Sequence, residues 1–390
     1  MNKNWKKAGV ALSIASMLTL TACSNGSAGS SGSTAGSGGN KSGDILIGVQ
    51  SPTTGSTAKM GQDMNNAIQL ATDEINANGG INGKKIKLTF ADDASDPQTA
   101  TAAANKLVSE GVVAVVGGYA SGATLPASGV YHNAGLPMVV TAANSAKIPA
   151  QGYNDIFLIN GTTVHQGEVA ADYMVDKLHG KRIAIIDDNS AYAKDLADQT
   201  KKAVESKGAK VVDFEAVNPD EKDFTTLLTK LKGLKPDATY WTAYYAQGGL
   251  LIKQFKQLGV PGAIGVGDGA NDPTLIDIAG KQAAEGTFVT TPPTAEFLPD
   301  AKKFINDYKA KFHQDPGPYS ALSYDGMRLL ADAIKRAGST DKNAIIKALQ
   351  DTNNFKTFAG DVSFKKDGTL KKSNFIVLLV KNGKFTLPQQ

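Results

Sequence analysis

The chain has 390 residues, 41% hydrophobic and 20% charged, which excludes a disordered chain and suits two lobes better than one small core. Its formal charge is +4, and residues 1–22 hold three lysines and no acid, so the remainder carries 4 − 3 = +1. A nearly neutral body gives no electrostatic case for binding nucleic acid.

Lys3, Lys6 and Lys7 open the chain, and Ala8 to Ala22 is largely apolar with a small-residue end, the pattern of an export signal. The stretch is too short for a permanent membrane span. Cys23, the single cysteine, closes Leu20-Thr21-Ala22-Cys23, which resembles a bacterial lipobox in which the thiol is acylated and becomes the mature N-terminus. The alternative is a chance cysteine beside an apolar run. No disulfide can form within one chain. Two acyl chains satisfy the requirement for stable anchoring, since each buried methylene contributes only about 0.8 kcal/mol. Ser24 to Gly43 is almost entirely Ser, Gly, Ala and Asn, so it reads as a flexible tether with a reach of about 25 Å.

From Asp44 onward, β-branched runs alternate with helical patterns. A strand over Ile45–Val49 precedes a helix over Met60–Asn76, with Met64, Ile68, Ala71 and Ile75 at helical spacing and Gly79-Gly80 ending it. A strand at Ile86–Ala91, a helix at Pro97–Glu110 and a strand at Val112–Val116 complete a parallel α/β unit. The pattern restarts with helix Gln166–Leu178, strand Arg182–Asp187, helix Ala191–Lys207, strand Val211–Val217, helix Phe224–Leu231 and strand Ala238–Trp241. Helices at Asp300–Phe312, Tyr319–Ala337 and Lys342–Leu349 and a strand at Phe375–Val380 exceed what the second unit needs, so some return to the first.

Ligands of open α/β sheets sit outside the carboxyl ends of the strands, and two facing sheets make a cleft. The residues just after each strand are therefore the candidates. Gly117 to Thr124 is a Gly/Ser loop leading into a helix containing Pro126, and its free amides with the Ser121 hydroxyl suit a carboxylate. A plain turn with Ser121 as cap explains that loop equally well. Thr141 to Ser145 is a second small, polar turn. In the second unit, Tyr192 and Tyr244 follow strands and offer walls for a small ligand, or mere packing. Gly265 to Asn271 places a lone acid, Asp268, among glycines, where it could pair an ammonium.

That segment also fits Gly-x-Gly-x-x-Ala, but it lies late in the chain and Pro273 interrupts the helix a dinucleotide site needs. There is no P-loop, no Gly-x-Ser-x-Gly elbow, and no metal-ligand spacing among His132, His165, His179 and His313. Asp92-Asp93 and Asp187-Asp188 are adjacent on strands and point to opposite faces, so neither makes an acid–base pair. An enzyme, a metal and a cofactor are all disfavoured.

Three blocks then carry a resemblance: Ala67-x-x-Leu70-Ala71-x-Asp73-Glu74-Ile75-Asn76-x-x-Gly79-Gly80-Ile81-x-Gly83, Asp92-Asp93-x-x-Asp96-Pro97, and Glu221-Lys222-Asp223-Phe224-x-x-Leu227. From about Ile45 to its end, the chain resembles the type I periplasmic binding proteins of branched-chain amino acid transport. The resemblance implies an α/β fold of two Rossmann-like lobes with parallel sheets joined by a three-crossover hinge. Lobe one would take residues 44–162 plus 290–366, and lobe two 163–289 plus 367–390. It implies Ser121, backbone at Tyr119 and Ala142, and Asn144 toward a ligand carboxylate. Asp268, Tyr192 and Tyr244 fall toward its ammonium and the lid, with Met60 and Tyr119 in the side-chain pocket. Asn144 replaces a threonine of the family pattern, and Met60 and Tyr119 also depart from it, so the α-amino-acid clamp is retained and the specificity wall is not. Function follows as an extracytoplasmic, lipid-anchored monomer that binds an amino acid, branched-chain by default, and delivers it to an ABC transporter permease. A ligand-sensing receptor on the same scaffold, or a binder of another amino acid or amide, is the alternative.

Overall fold

The computed structural model describes residues 43–373 and 375–388. The expected export segment, Cys23 and nearly all of the tether lie outside them. Strand β1 (Ile45–Ser51) is followed by α1 (Ala58–Ala77), β2 (Ile86–Asp92), α2 (Pro97–Ser109), β3 (Ala114–Gly117), α3 (Ser121–Asn133), β4 (Met138–Val140) and β5 (Ile156–Leu158). These strands form one parallel sheet in the order β2-β1-β3-β4-β5. Ile47 and Val49 of β1 are fully buried, as the unbroken apolar run of a covered parallel strand requires. Asp96 caps α2 by accepting from the Thr99 amide at 2.8 Å, with Pro97 in the first turn where its missing N–H costs nothing.

The chain then passes to a second sheet through α4 (Thr163–Ala171), β6 (Arg182–Asp187), α5 (Ala191–Ser206), β7 (Lys210–Ala216), α6 (Thr225–Leu234), β8 (Ala238–Trp241), α7 (Tyr245–Gln257), β9 (Ala263–Val266), α8 (Pro273–Ala279), α9 (Lys281–Ala284) and β10 (Phe288–Thr291). Helix α4 runs on as π-turns over Asp172–Lys177, so the expected single helix over 166–178 changes its hydrogen-bond period midway. The chain returns to the first sheet with α10 (Lys302–Phe312), α11 (Ser320–Ala337), α12 (Lys342–Gln350) and the hairpin β11 (Phe355–Thr357) and β12 (Gly360–Val362). Helix α11 packs on α1, β3 and β4, with Met327 and Leu330 fully buried, which is where the surplus helices go.

Strands β13 (Ile376–Lys381) and β14 (Lys384–Thr386) close the second sheet in the order β14-β13-β10-β9-β8-β6-β7. Its core β7–β6–β8–β9–β10 is parallel, and β13 and β14 add an antiparallel edge. That edge departs from an all-parallel expectation because Asn382-Gly383, both at positive φ, supply a two-residue hairpin turn. The chain thus crosses between the sheets three times: after β5, after β10 and before β13. Among the described residues, no helix is long and apolar enough to cross a membrane.

Candidate functional site

The carboxyl ends of the parallel strands of both sheets meet at one tight cavity of about 10 Å³. Tyr119 and Ser121 follow β3, Ala142 and Asn144 follow β4, Tyr192 follows β6, Tyr244 follows β8, and Asp268 and Gly269 follow β9. Tyr319, just before α11, completes the wall. That is room for about one water, so the two sheets' loops stand against each other here and a larger ligand enters only when they part.

Asp268 is the charged group of the cavity and is 1% exposed. Its Oδ1 accepts from the Tyr192 hydroxyl at 2.6 Å and its Oδ2 from the Asn144 amide nitrogen at 3.2 Å. Burial pushes the carboxyl up from the ordinary carboxylate range, and side-chain hydrogen bonds from Tyr192, Gln166, Tyr319 and Asn160 work against that shift. All of these are neutral donors. A desolvated carboxylate held ready by neutral donors is a site for a cation supplied from outside the chain.

Behind it, Gln166 is fully buried: its Oε1 accepts from Asn144 at 3.0 Å, and its Nε2 donates to the Thr290 carbonyl at 3.2 Å. This network fixes the rotamers around Asp268, and the sequence reading missed Gln166 because a lone glutamine early in a helix carries no signal. Tyr319 was missed for a similar reason: it follows no strand and reaches the cavity only through the return of α11 to the first sheet.

Opposite the acid lies the start of α3. Its cap residue is Ala120, whose side chain can accept nothing, so the first amides of the helix have no side-chain partner. The Ser121 oxygen accepts from the Ser145 amide at 3.2 Å, leaving the hydroxyl proton to donate. Gly118 precedes this turn at φ +82, and a Cβ there would meet Met138 and Thr124 at 3.0 Å, so glycine is required both by conformation and by space. Helix-start amides without a side-chain cap, plus a hydroxyl donor, suit an anion, and Ser121 lines the same cavity as Asp268.

The glycines around Asp268 serve the protein's own side chains. A Cβ on Gly267 would stand 2.5 Å from the Tyr192 hydroxyl, and one on Gly269 would stand 2.9 Å from the Tyr192 ring. Gly265 makes room for the Phe288 ring. These close approaches account for the Gly-x-Gly-x-x-Ala spacing, and the segment continues as a single turn over Asp268–Ala270 into the seven-residue α8.

Four tyrosines line the rest. Tyr119 meets Tyr319 edge-on at 5.6 Å between centroids and lies 6.0 Å from Tyr244, which lies 5.6 Å from Tyr192. The Tyr119 hydroxyl is buried without a hydrogen-bond partner, and burial raises its pKa well above the ordinary tyrosine value. The structure therefore gathers Tyr119, Ser121, Ala142, Asn144, Tyr192, Tyr244 and Asp268 at one cavity, whereas Met60 does not line it and packs instead, 1% exposed, in the core under α1. Asn144 turns its amide nitrogen to Asp268 and Gln166 rather than standing free for a carboxylate.

A family model described as periplasmic binding protein matches residues 44–384. The Leu/Ile/Val-binding protein homolog 1 of Brucella suis is 36% identical over 341 residues, covering 87% of this chain and 91% of that protein. A leucine-, isoleucine-, valine-, threonine- and alanine-binding protein of Pseudomonas aeruginosa is 35% identical over 334 residues, covering 85% and 89%. Among solved structures, the branched-chain amino acid substrate-binding protein LivJ of Streptococcus pneumoniae, in complex with isoleucine, is similar with a TM-score of 0.81 at 31% identity, covering 88% of this chain and 97% of that one.

Proposed function

The chain belongs to the periplasmic binding protein family, and from that premise we propose that it captures a free α-amino acid between two lobes and hands it to an ABC transporter permease. The observation that carries the ligand class is the pairing across one small cavity of a buried, neutrally solvated carboxylate at Asp268 with the uncapped start of α3 at Ser121. An α-amino acid presents an ammonium for the one and a carboxylate for the other. Tyr119, Tyr244 and Tyr319 then surround its side chain, and the relatives named above support a branched-chain ligand, with threonine and alanine as the smaller alternatives.

The lobes in this reading are 44–162 plus 290–366 and 163–289 plus 367–390, with β10 carrying the second sheet to Thr291. Gly368 accepts from the Leu158 amide at 2.9 Å, so the third crossover stays tied to β5 as the lobes move. Cys23 is acylated and holds the monomer at the outer face of the membrane, and the protein binds its ligand without converting it. Calorimetry on protein unfolded, stripped and refolded, titrated with the twenty amino acids, tests the ligand class. Submicromolar binding of leucine, isoleucine or valine is expected, and heat from none of the twenty overturns the reading.

A further inference from the structure

Two carboxylates at the mouth of the cleft face one lysine. Asp63 belongs to α1 of the first lobe, and its Oδ2 takes Lys59 Nζ, one helical turn away, at 2.7 Å while Oδ1 accepts from Gln314 at 3.0 Å. Asp272 belongs to the second lobe, where its Oδ1 caps α8 by accepting from the Thr274 amide at 2.7 Å. Its side chain is fully buried and its Oδ2 has no hydrogen-bond partner. Among the described residues, the cation within ion-pair distance of that oxygen is Lys59, at 3.8 Å across the cleft. A buried carboxylate oxygen with no hydrogen bond carries a desolvation cost that a nearby ammonium offsets.

We propose that Lys59 and Asp272 form a latch that stabilises the closed arrangement of the lobes, making Lys59 a positioning residue for ligand capture although it does not line the cavity. The inference rests on the reading that the lobes close on an amino acid. Lys59 remains paired to Asp63 in any arrangement of the lobes, since both lie on α1, whereas its approach to Asp272 exists only when the lobes meet. The same seam holds a second cross-lobe contact, the Tyr245 hydroxyl donating to the Ser56 carbonyl at 2.7 Å. Tyr245 adjoins the cavity-lining Tyr244, and Asp272 lies four residues beyond Asp268, so the latch grips both loops that close on the ligand. Stabilising the binding-competent arrangement raises apparent affinity by the fraction of protein that occupies it.

The test uses the full chain in four forms: wild type, Lys59→Met, Asp272→Asn and the double variant, with Lys59→Arg as the conservative control. The Asp272→Asn change retains a side-chain oxygen to cap α8, and Lys59 is half-exposed, so both singles should fold, which melting of the ligand-free proteins checks. With the tightest-binding amino acid, each single variant is expected to lose about three- to tenfold in affinity, more than an exposed pair would give because Asp272 is buried. The loss should fall on the dissociation rate, the double variant should lose no more than the worse single, and Lys59→Arg should bind nearly as wild type. Affinities within twofold of wild type in both singles, or losses that multiply in the double, overturn the latch. If wild type binds none of the twenty amino acids, the ligand reading fails, and small-angle scattering from the ligand-free proteins then decides the latch. A larger radius of gyration in both variants supports it, and equal values overturn it.

Discussion

Replacing Asp268 by asparagine removes the charge while keeping the shape, and its effect follows from what surrounds the carboxylate. The group is 1% exposed and its partners, Tyr192 and Asn144, are neutral, so a bound ammonium would be its sole full countercharge in the cavity. Truncating one member of a desolvated, hydrogen-bonded charge pair costs about 2–5 kcal/mol, which is roughly thirty-fold to several thousand-fold in Kd. Part of that loss in Asp268→Asn comes from an amide nitrogen that must either oppose the Asn144 amide or give up the Tyr192 bond. Calorimetry with the cognate amino acid and its des-amino analogue separates the two effects. Wild type should strongly prefer the amino acid, and the variant should lose most of that preference. Equal discrimination by both proteins would refute the ammonium assignment, and the amine would then be held elsewhere in the cavity. The pH dependence has a definite sign. Burial raises the carboxyl in the ligand-free protein, and a bound ammonium lowers it, so binding releases a proton and affinity weakens as pH falls toward the ordinary aspartate value of about 3.9.

Three further outcomes are expected. Gly267→Ala keeps an allowed backbone, at φ −77, but its Cβ displaces the Tyr192 hydroxyl from Asp268, so calorimetry should show at least tenfold weaker binding with an unchanged far-ultraviolet spectrum; wild-type affinity would contradict the close approach. Asp325, buried under the β11–β12 hairpin and bonded to Arg328 and the Phe358 amide, is pushed up to about 6 by burial. The folded protein therefore binds the proton more tightly than the unfolded chain, so this group's contribution falls as pH rises from about 4 to above 6, by about 3 kcal/mol. Asp325→Asn should remove that slope, so denaturant unfolding of the two proteins should diverge in the variant's favour across this range; parallel curves would show that the group is not raised. Cys23→Ser should move the protein from the membrane fraction to the soluble fraction, and a variant that stays with the membrane would argue against acylation at that residue.

What the sequence shows and what it hides divides along physical lines. Local pattern reaches strands such as Ile45–Ser51 and Arg182–Asp187, because a parallel strand covered on both faces is a continuous apolar run. It reaches most of the cavity too, because a parallel sheet puts its ligand at strand ends and those ends can be found one at a time. Gln166 and Tyr319 arrive by another route: one as the hydrogen-bonded layer behind the acid, the other on a segment that returns to the first sheet across a crossover. Neither position follows from spacing. Met60 shows the reverse case, set toward the ligand by the resemblance and packed in the core here. A helix presents adjacent residues about 100° apart, so residue 59 reaches the cleft mouth and residue 60 the core, and choosing between them requires knowing how α1 lies on its sheet. The family pattern gave the helix its place but not its rotation. The charge that matters at that helix is therefore Lys59, whose neighbour Asp63 is legible as an i,i+4 pair, while its partner Asp272 lies more than two hundred residues away and on the other sheet's side of the cleft. Contacts that exist only when two lobes meet leave no periodic trace in either, and so the residues that set closure are the last a sequence discloses and the first that a cross-lobe double-mutant cycle would find.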